Sequence, residues 1–261
     1  MIVLRNATLA DVTRLVALNH AAYPELVGEG IVFDADQIAQ QIERYAGGQI
    51  VATRAQDGAI VGAIATLVLD SAAVLAPHTW ADATGDGTFR THDAAGDCLY
   101  LADIYVDPAA CGRGVGAALY DAMFALCGKE KLARVVAGGR LFGYHDVRDA
   151  MTPLAYVDEV VRGKRKDKVL GSQLRAGFVV QGILRDYLHD WRSASFATLL
   201  TWSNPDLRGS RRLGEVEGVR QVLGGLVAVR ERSEPEAVLD GRQDRRRVVD
   251  GVIDEAATRE G

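Results

Sequence analysis

Between Ile104 and Tyr120 the chain reads IYVDPAACGRGVGAALY, an apolar run, a proline, and then glycines at alternate positions 112, 114 and 116 opening a predicted helix. Glycine lacks the Cβ that keeps a ligand off the main chain, so successive N–H groups there can point at an anion beside the positive end of the helix. The chemistry this spacing suits is capture of a phosphate-bearing ligand. A P-loop needs Lys followed by Ser or Thr after its last glycine, whereas Ala117 and Ala118 follow Gly116. A dinucleotide fingerprint forced onto Gly112, Gly114 and Ala117 leaves Asp107 to Cys111, with Pro108 among them, between strand and first glycine. The acidic ribose partner that such a site carries about 20 residues on is also missing, because that region reads ARVVAGG.

Strands and helices alternate around this loop in a pattern that predicts an α/β (α+β) domain. Ile2 to Arg5 reads as a strand, Thr8 to Asp11 as the cap of an amphipathic helix carrying Val12, Leu15, Val16 and Leu18, and Asp34 to Tyr45 as a second helix ended by Gly47 and Gly48. Gln49 to Ala55 and Ala59 to Leu69, joined by Gln56-Asp57-Gly58, read as a hairpin. Ser71 to Asp97 is rich in Ala, Gly, Asp and Thr and is expected to be a long surface excursion. Strand Cys98–Val106, helix Gly114–Cys127 and strand Ala133–Gly138 follow. A second excursion, Arg140 to Asp167, has helical character at Pro153 to Arg162; a helix over Lys168–Ala176 and strands Phe178–Tyr187 and Phe196–Trp202 complete the sheet.

No Phe, Tyr or Trp occurs after Trp202, and the remainder is dense in Arg, Asp, Glu and Gly. Little apolar surface is available there to offset ordering entropy, so 1–204 is expected to be the folded domain and 205–261 a charged tail, mobile or loosely docked. With 261 residues, 48% of them hydrophobic, core size is not limiting. A net charge of -5 argues against binding nucleic acid by charge neutralisation. Cys98, Cys111 and Cys127 have neither disulfide-framework nor zinc spacing, and His20, His78, His92 and His189 show no metal pattern. The N-terminus has no secretory pattern, and the longest apolar run, Ala59 to Leu69, is too short to span a bilayer. These features predict a cytoplasmic protein with no metal, no membrane partner and a small-molecule ligand.

LADIYVDPAACGRGVGAAL resembles motif A of the GNAT acyltransferase family, a strand ending in V-x-P, a short loop, then Gln or Arg, two residues, Gly, one residue, and Gly or Ala. Pro108, Arg113, Gly114 and Gly116 fall on that pattern, while Cys111 stands where Gln or Arg is commonest. The resemblance extends over about residues 1 to 204. GGRLFGYHD, VLGSQLRAGF, ILRDYLHD and ATLLTWSNP are similar, more narrowly, to the acyltransferase module found ahead of nitrilase-like carbon-nitrogen hydrolase domains, although 261 residues do not extend over such a hydrolase. The resemblance implies a mixed, mostly antiparallel central sheet flanked by helices, and an N-acetyltransferase moving an acyl group from acetyl-CoA or another acyl-CoA directly to a primary amine of a small molecule or peptide. The alternative is an acyl-CoA sensor that keeps the cradle without the chemistry. The sheet edge offers a pairing surface for a homodimer.

On this resemblance the pantetheine arm would lie along Ile104, Tyr105 and Val106, and the pyrophosphate in the loop of Cys111, Gly112, Arg113, Gly114, Val115, Gly116 and Ala117. An alkyl ammonium must lose a proton before it attacks, and Asp103, at a position where many family members carry an acid, is the expected acceptor of that proton; the alternative is a solvent-facing or ion-paired Asp103. The family's usual tyrosine for protonating the departing thiolate falls on Gln173, which leaves Tyr105, Tyr144 and His145 as candidates. Cys111 before a helix has a setting that lowers thiol pKa, but no placed His or Asp partner. RGKRKDK, residues 162 to 168, reads as a 3'-phosphate patch or as a solvated helix end. Glu25, Glu29, Asp70 and Asp103 lean towards a cationic amine.

Overall fold

The computed structural model describes residues 1–29 and 31–207, all within one compact unit. Residues 208–261, which make up nearly all of the expected tail, lie outside the described residues. Strand β1 (Ile2–Asn6) leads through a 3-10 turn at Leu9–Asp11 into α1 (Val12–Ala22), and Asp34 then caps α2 (Ala35–Tyr45) by accepting the Gln37 N–H. The hairpin of β2 (Gln49–Arg54) and β3 (Ile60–Leu69) is followed by two short helices, α3 (Ser71–Leu75) and α4 (Trp80–Thr84). Next come β4 (Cys98–Val106), α5 (Val115–Lys129), β5 (Arg134–Arg140), α6 (Pro153–Val161), α7 (Lys168–Arg175), β6 (Val179–Leu184) and β7 (Ala197–Ser203).

The strands form one sheet in the order β1-β2-β3-β4-β5-β7-β6, in which only β4 and β5 run parallel. All ten residues of β3 are buried, because helices cover both faces. On one face Leu119 and Met123 of α5 pack against Ile64, Val68, Leu99 and Val135; on the other, α1 and α2 supply Leu15, Leu18, Ile38 and Ile42 against Val51, Ala63 and Tyr105.

The expected surface excursion at Ser71–Asp97 is corrected by the structure. Asp70 and Thr79 cap two helical turns, and the segment folds back to bury Val74, Ala83 and Phe89 beside Leu67 and Tyr100. Three widely spaced apolar anchors in an Ala- and Gly-rich stretch give no periodicity to read, yet each finds a hollow over the sheet. The excursion at Arg140–Asp167 carries α6 where helical character was expected.

Two irregularities in β4 position everything that follows. Ala65 pairs with Asp103 but Thr66 pairs with Leu101, so Ala102 is an extra, bulged residue. The bulge shifts the side-chain alternation: Leu99 and Leu101 enter the α5-side core, beyond it Ile104 and Val106 take that side, and Asp103 and Tyr105 turn towards α1. Unbulged, the alternation would put Asp103 among the apolar side chains under α5. The Trp80 indole Nε1 donates to the bulged Ala102 carbonyl at 3.0 Å.

The second irregularity is that β4 and β5 pair only as far as Leu101 and Ala137, although β4 runs on to Val106 and β5 to Arg140. Past that point the strands separate. Gly138 and Gly139 sit at the parting because a Cβ on Gly138 would enter the Tyr187 ring, and one on Gly139 the Gln173 side chain. Gly138→Ala is therefore expected to destabilise the domain by about 1–3 kcal/mol through overpacking, whereas Gly58→Ala, with nothing within 4 Å, is expected to cost only the roughly 1 kcal/mol of its positive φ; urea denaturation of the two variants measures the difference.

Candidate functional site

The gap between the separating strands opens into a cleft of about 880 Å³ that reaches from the glycine loop, past Asp103, to α1. One wall is the edge of β4. Asp107 N–H donates to Val61 O at 2.9 Å, so in the antiparallel ladder Tyr105 also faces β3, and Ile104 and Val106 turn their main-chain groups to the open edge. Ile104 is already engaged there: its N–H donates to Asp103 Oδ1 at 2.8 Å and its carbonyl lies 2.7 Å from the Tyr23 hydroxyl. Val106 is left to whatever enters the cleft.

The loop after β4 forms the mouth. Gly112 and Gly114 have φ of +74° and +84°, and an added Cβ on either would meet nothing within 4 Å. Their glycines thus answer to backbone conformation and open space, not to packing. Gly114 is also the N-cap of the fifteen-residue α5 and offers no side chain to its first N–H groups. By contrast, α2, α6 and α7 begin on Asp34, Thr152 and Asp167, each accepting main-chain N–H groups. The start of α5 presents uncapped donors and the positive end of the helix dipole to the cleft. Cys111, Val115, Gly116 and Ala117 line the cleft with them, while Arg113 is exposed outside it. Cys111 is a free, exposed thiol.

Asp103 neither faces bulk solvent nor pairs with an arginine at salt-bridge distance. Its Oδ2 accepts from Asn19 Nδ2 at 2.9 Å and its Oδ1 from the Tyr23 hydroxyl at 2.8 Å. Burial raises the carboxyl pKa above its ordinary value, against the opposing pull of Tyr23, the Arg140 charge, Asn19 and the Ile104 N–H. Burial also drives the Tyr23 hydroxyl well above the ordinary phenol value, with the neighbouring Asp103 charge adding to it. The arrangement is a carboxyl at the waist of the cleft, held in orientation by three donors and shifted towards the range where it can take up a proton.

Gln173 lines the cleft and is buried, with its Oε1 free of any hydrogen-bond partner. Tyr105 also lines it, buried against α1 with its hydroxyl pKa raised by that burial. Tyr144 and His145 are not brought to the cleft, which corrects the expectation that placed them there. The Tyr144 hydroxyl donates to the Met151 carbonyl at 2.9 Å, and its ring packs edge-on against Tyr156 and Phe196. His145 stands edge-on to Trp191 with ring centroids 5.1 Å apart. Both follow β5 closely in sequence, but the 3-10 turn Tyr144–Val147 carries Tyr144 against Tyr156 of α6 and His145 against Trp191. Of the four acids expected to favour a cationic amine, only Asp103 lines the cleft; Asp70 caps α3.

The residues that sequence reading missed are Asn19, Tyr23, Trp80, Arg140 and Tyr187, all cleft-lining. Asn19 left a signal, since it lies one turn after Leu15 on the apolar stripe of α1 and is 1% exposed. Among the described residues no cluster of three or more His, Cys, Asp or Glu has a metal-holding arrangement, and no helix is long and apolar enough to cross a membrane. Tyr144→Phe is expected to leave ligand binding in the cleft unchanged and to cost about 1 kcal/mol of stability through loss of one buried hydrogen bond, as read by calorimetry and thermal unfolding.

The family model described as the acetyltransferase (GNAT) family matches residues 13–141. The chain is 30% identical over 201 residues to the uncharacterized N-acetyltransferase YkwB of Bacillus subtilis (strain 168), covering 77% of this chain and 88% of that one. It is also 30% identical over 205 residues to the probable hydrolase YhcX of the same organism, covering 78% of this chain but only 39% of that protein. Among solved structures, the GphF GNAT-like decarboxylase in complex with isobutyryl-CoA superposes with a TM-score of 0.66 at 23% identity over 77% of this chain and 99% of that one, a likeness of fold.

Proposed function

The chain belongs to the GNAT acetyltransferase family, and from that premise we propose that it is an N-acyltransferase carrying an acyl group from acetyl-CoA, or another acyl-CoA, directly to a primary amine. The observation that carries this reading is the uncapped start of α5 beside the open edge of β4. A diphosphate fits the N–H groups at Gly114 to Ala117, where Gly114, Gly116 and Ala117 carry no side chain or only a methyl and Val115 is buried in the core. A pantetheine arm lying along β4 would pair with Val106 as a short added strand. The thioester supplies an activated acyl carbon, and its place is at the parting of the strands, near Asp103.

Asp103 is the proposed general base. An alkyl ammonium with pKa of about 10 must be deprotonated before attack, and a carboxyl raised by burial is a better proton acceptor than an exposed one. Asn19, Tyr23 and the Ile104 N–H hold both oxygens in fixed positions in the cleft wall. Asn19 is itself anchored, since its Oδ1 accepts from the Phe33 N–H at 3.1 Å. Tyr144 and His145 have no part in the proposal.

Gly116→Val provides the test of the cradle. The nearest atom to an added Cβ is Val106 Cγ2 at 4.0 Å, so the variant is expected to fold with stability within about 1 kcal/mol of the parent while binding acetyl-CoA at least about tenfold more weakly by calorimetry. Undiminished affinity in the folded variant sinks the cradle. Thiol release from acetyl-CoA with an amine library tests transfer, and binding without any release overturns it.

The pH dependence has a definite sign. Because the Asp103 pKa is raised and its basic form is the carboxylate, kcat/KM is expected to climb as pH rises through a value above the ordinary carboxylate range. For folding the sign is opposite: the contribution from the protonated carboxyl is complete below the unfolded value near 4 and is lost as pH rises through the raised one. Asp103→Asn is expected to lower turnover by about 10²–10⁴ and to remove that acid limb from the rate profile. A limb that persists in this variant assigns the titration elsewhere.

A further inference from the structure

The α1 side of the cleft has two chemically different ends. Asp103 forms one. The other is one tyrosine ring away: Arg140 lies over Tyr23, with its guanidinium carbon 5.2 Å from the ring centroid, and Arg140 and Lys168 both line the cleft. Three cations converge there on Phe142, with Lys168 Nζ at 3.6 Å, the Arg192 guanidinium carbon at 4.7 Å and that of Arg140 at 6.0 Å from the ring centroid.

Anionic partners do not fill these donors. Arg140 Nη1 donates to the buried Asp190 Oδ2 at 3.2 Å. Glu25 Oε1 is 4.0 Å from Arg140 Nη2 and 3.9 Å from Arg192 Nε, too far for a hydrogen bond. Both Glu25 Oε1 and Arg192 Nε are buried without a hydrogen-bond partner. Lys168 has a cation–π contact but no ion pair among the described residues. Asp167, beside it, is already taken up by the N–H groups of Gly143, Val169 and Leu170 and by the Tyr156 hydroxyl. Arg140 and Lys168 thus line the cleft, and apart from the single Arg140–Asp190 contact no carboxylate meets them at hydrogen-bond distance among the described residues.

The same cleft is lined by the apolar and aromatic side chains of Leu26, Ile31, Phe33, Trp80 and Leu188. We infer that the acceptor is a primary amine whose own molecule carries a carboxylate on an apolar or aromatic body, the amine meeting Asp103 and the carboxylate meeting Arg140 and Lys168. The planar guanidinium suits two carboxylate oxygens. A polyamine is disfavoured, since its second ammonium would be driven against the three cations. The inference rests on the acyl-transfer reading for its consequence, but its test is a binding measurement that needs no turnover.

Four matched pairs serve as probes: phenylalanine and phenethylamine, tyrosine and tyramine, tryptophan and tryptamine, leucine and isoamylamine. Each pair differs only in the α-carboxylate. Calorimetry on the full chain is expected to show the amino acid binding at least about tenfold more tightly than its amine in every pair that binds. Lys168→Met, at an exposed position, is expected to reduce that ratio several-fold. Arg140→Gln is expected to abolish the ratio but leaves Asp190 without its cation, so Lys168→Met is the variant to trust if the other unfolds. Equal or tighter binding of the amines, an unchanged ratio in Lys168→Met, or no heat from any amino acid at about 10 mM overturns the inference. Acetyl-CoA titrated into the same protein separates the failures: if its heat persists, only the acceptor class falls, and if it is absent, the acyl-transfer reading falls as well.

Discussion

Everything in this molecule depends on where β4 and β5 stop hydrogen-bonding. A parallel pair inside a sheet normally continues until one strand ends, because unpaired main-chain groups in a buried place are costly. Here the pairing ends at Leu101 and Ala137 with strand remaining on both sides. The exposed edge is managed residue by residue: Trp80 takes the Ala102 carbonyl, the Ile104 N–H turns to Asp103 while its carbonyl and Asp103 share the single Tyr23 hydroxyl proton, and Val106 is left facing the cleft. A sheet that is opened in this way leaves main-chain groups of β4 facing the cleft, and the proposed pantetheine arm would stand in for the missing strand.

The glycines divide into two kinds that sequence alone does not distinguish. Gly112 and Gly114 exist for their backbone angles and for the empty space above them. Gly138 and Gly139 exist because side chains from elsewhere, Tyr187 and Gln173, occupy the volume a Cβ would need. The first kind leaves open main chain at the mouth of the cleft, and the second lets the strands part without a clash. Both lie at the ends of the same slot, so the two requirements meet in one cavity.

Asp103 illustrates how a costly group is retained. Burial penalises its charge, and three hydrogen-bond donors with a nearby guanidinium work against that penalty without cancelling it. A carboxyl balanced in this way keeps its proton affinity higher than an exposed one would, which is a property of use in proton transfer and of none in packing. The bulge at Ala102 is what makes the balance available, since it turns the side chain away from the apolar face and towards Asn19 and Tyr23.

Local chemistry was legible in the sequence because it is local. The apolar runs of β2 and β3 with the turn between them, the helix from Asp34 to Tyr45, and the glycine spacing before α5 are all written within a few residues of where they act, and these elements appear within a residue or two of their expected bounds. The motif around Pro108 and Gly116 likewise lies in one strand, one loop and one helix. What the tertiary structure decided are the meetings between distant segments: Asn19 and Tyr23 with Asp103, Trp80 with Ala102, Arg140 with Lys168 across Phe142. Tyr144 was misjudged for the same reason, since nearness to β5 in sequence says nothing of the direction in which the next turn carries the chain. Side-chain periodicity fixes which face a residue prefers, but a single bulge reverses it, and a bulge depends on the register between two strands, which no stretch of one strand records.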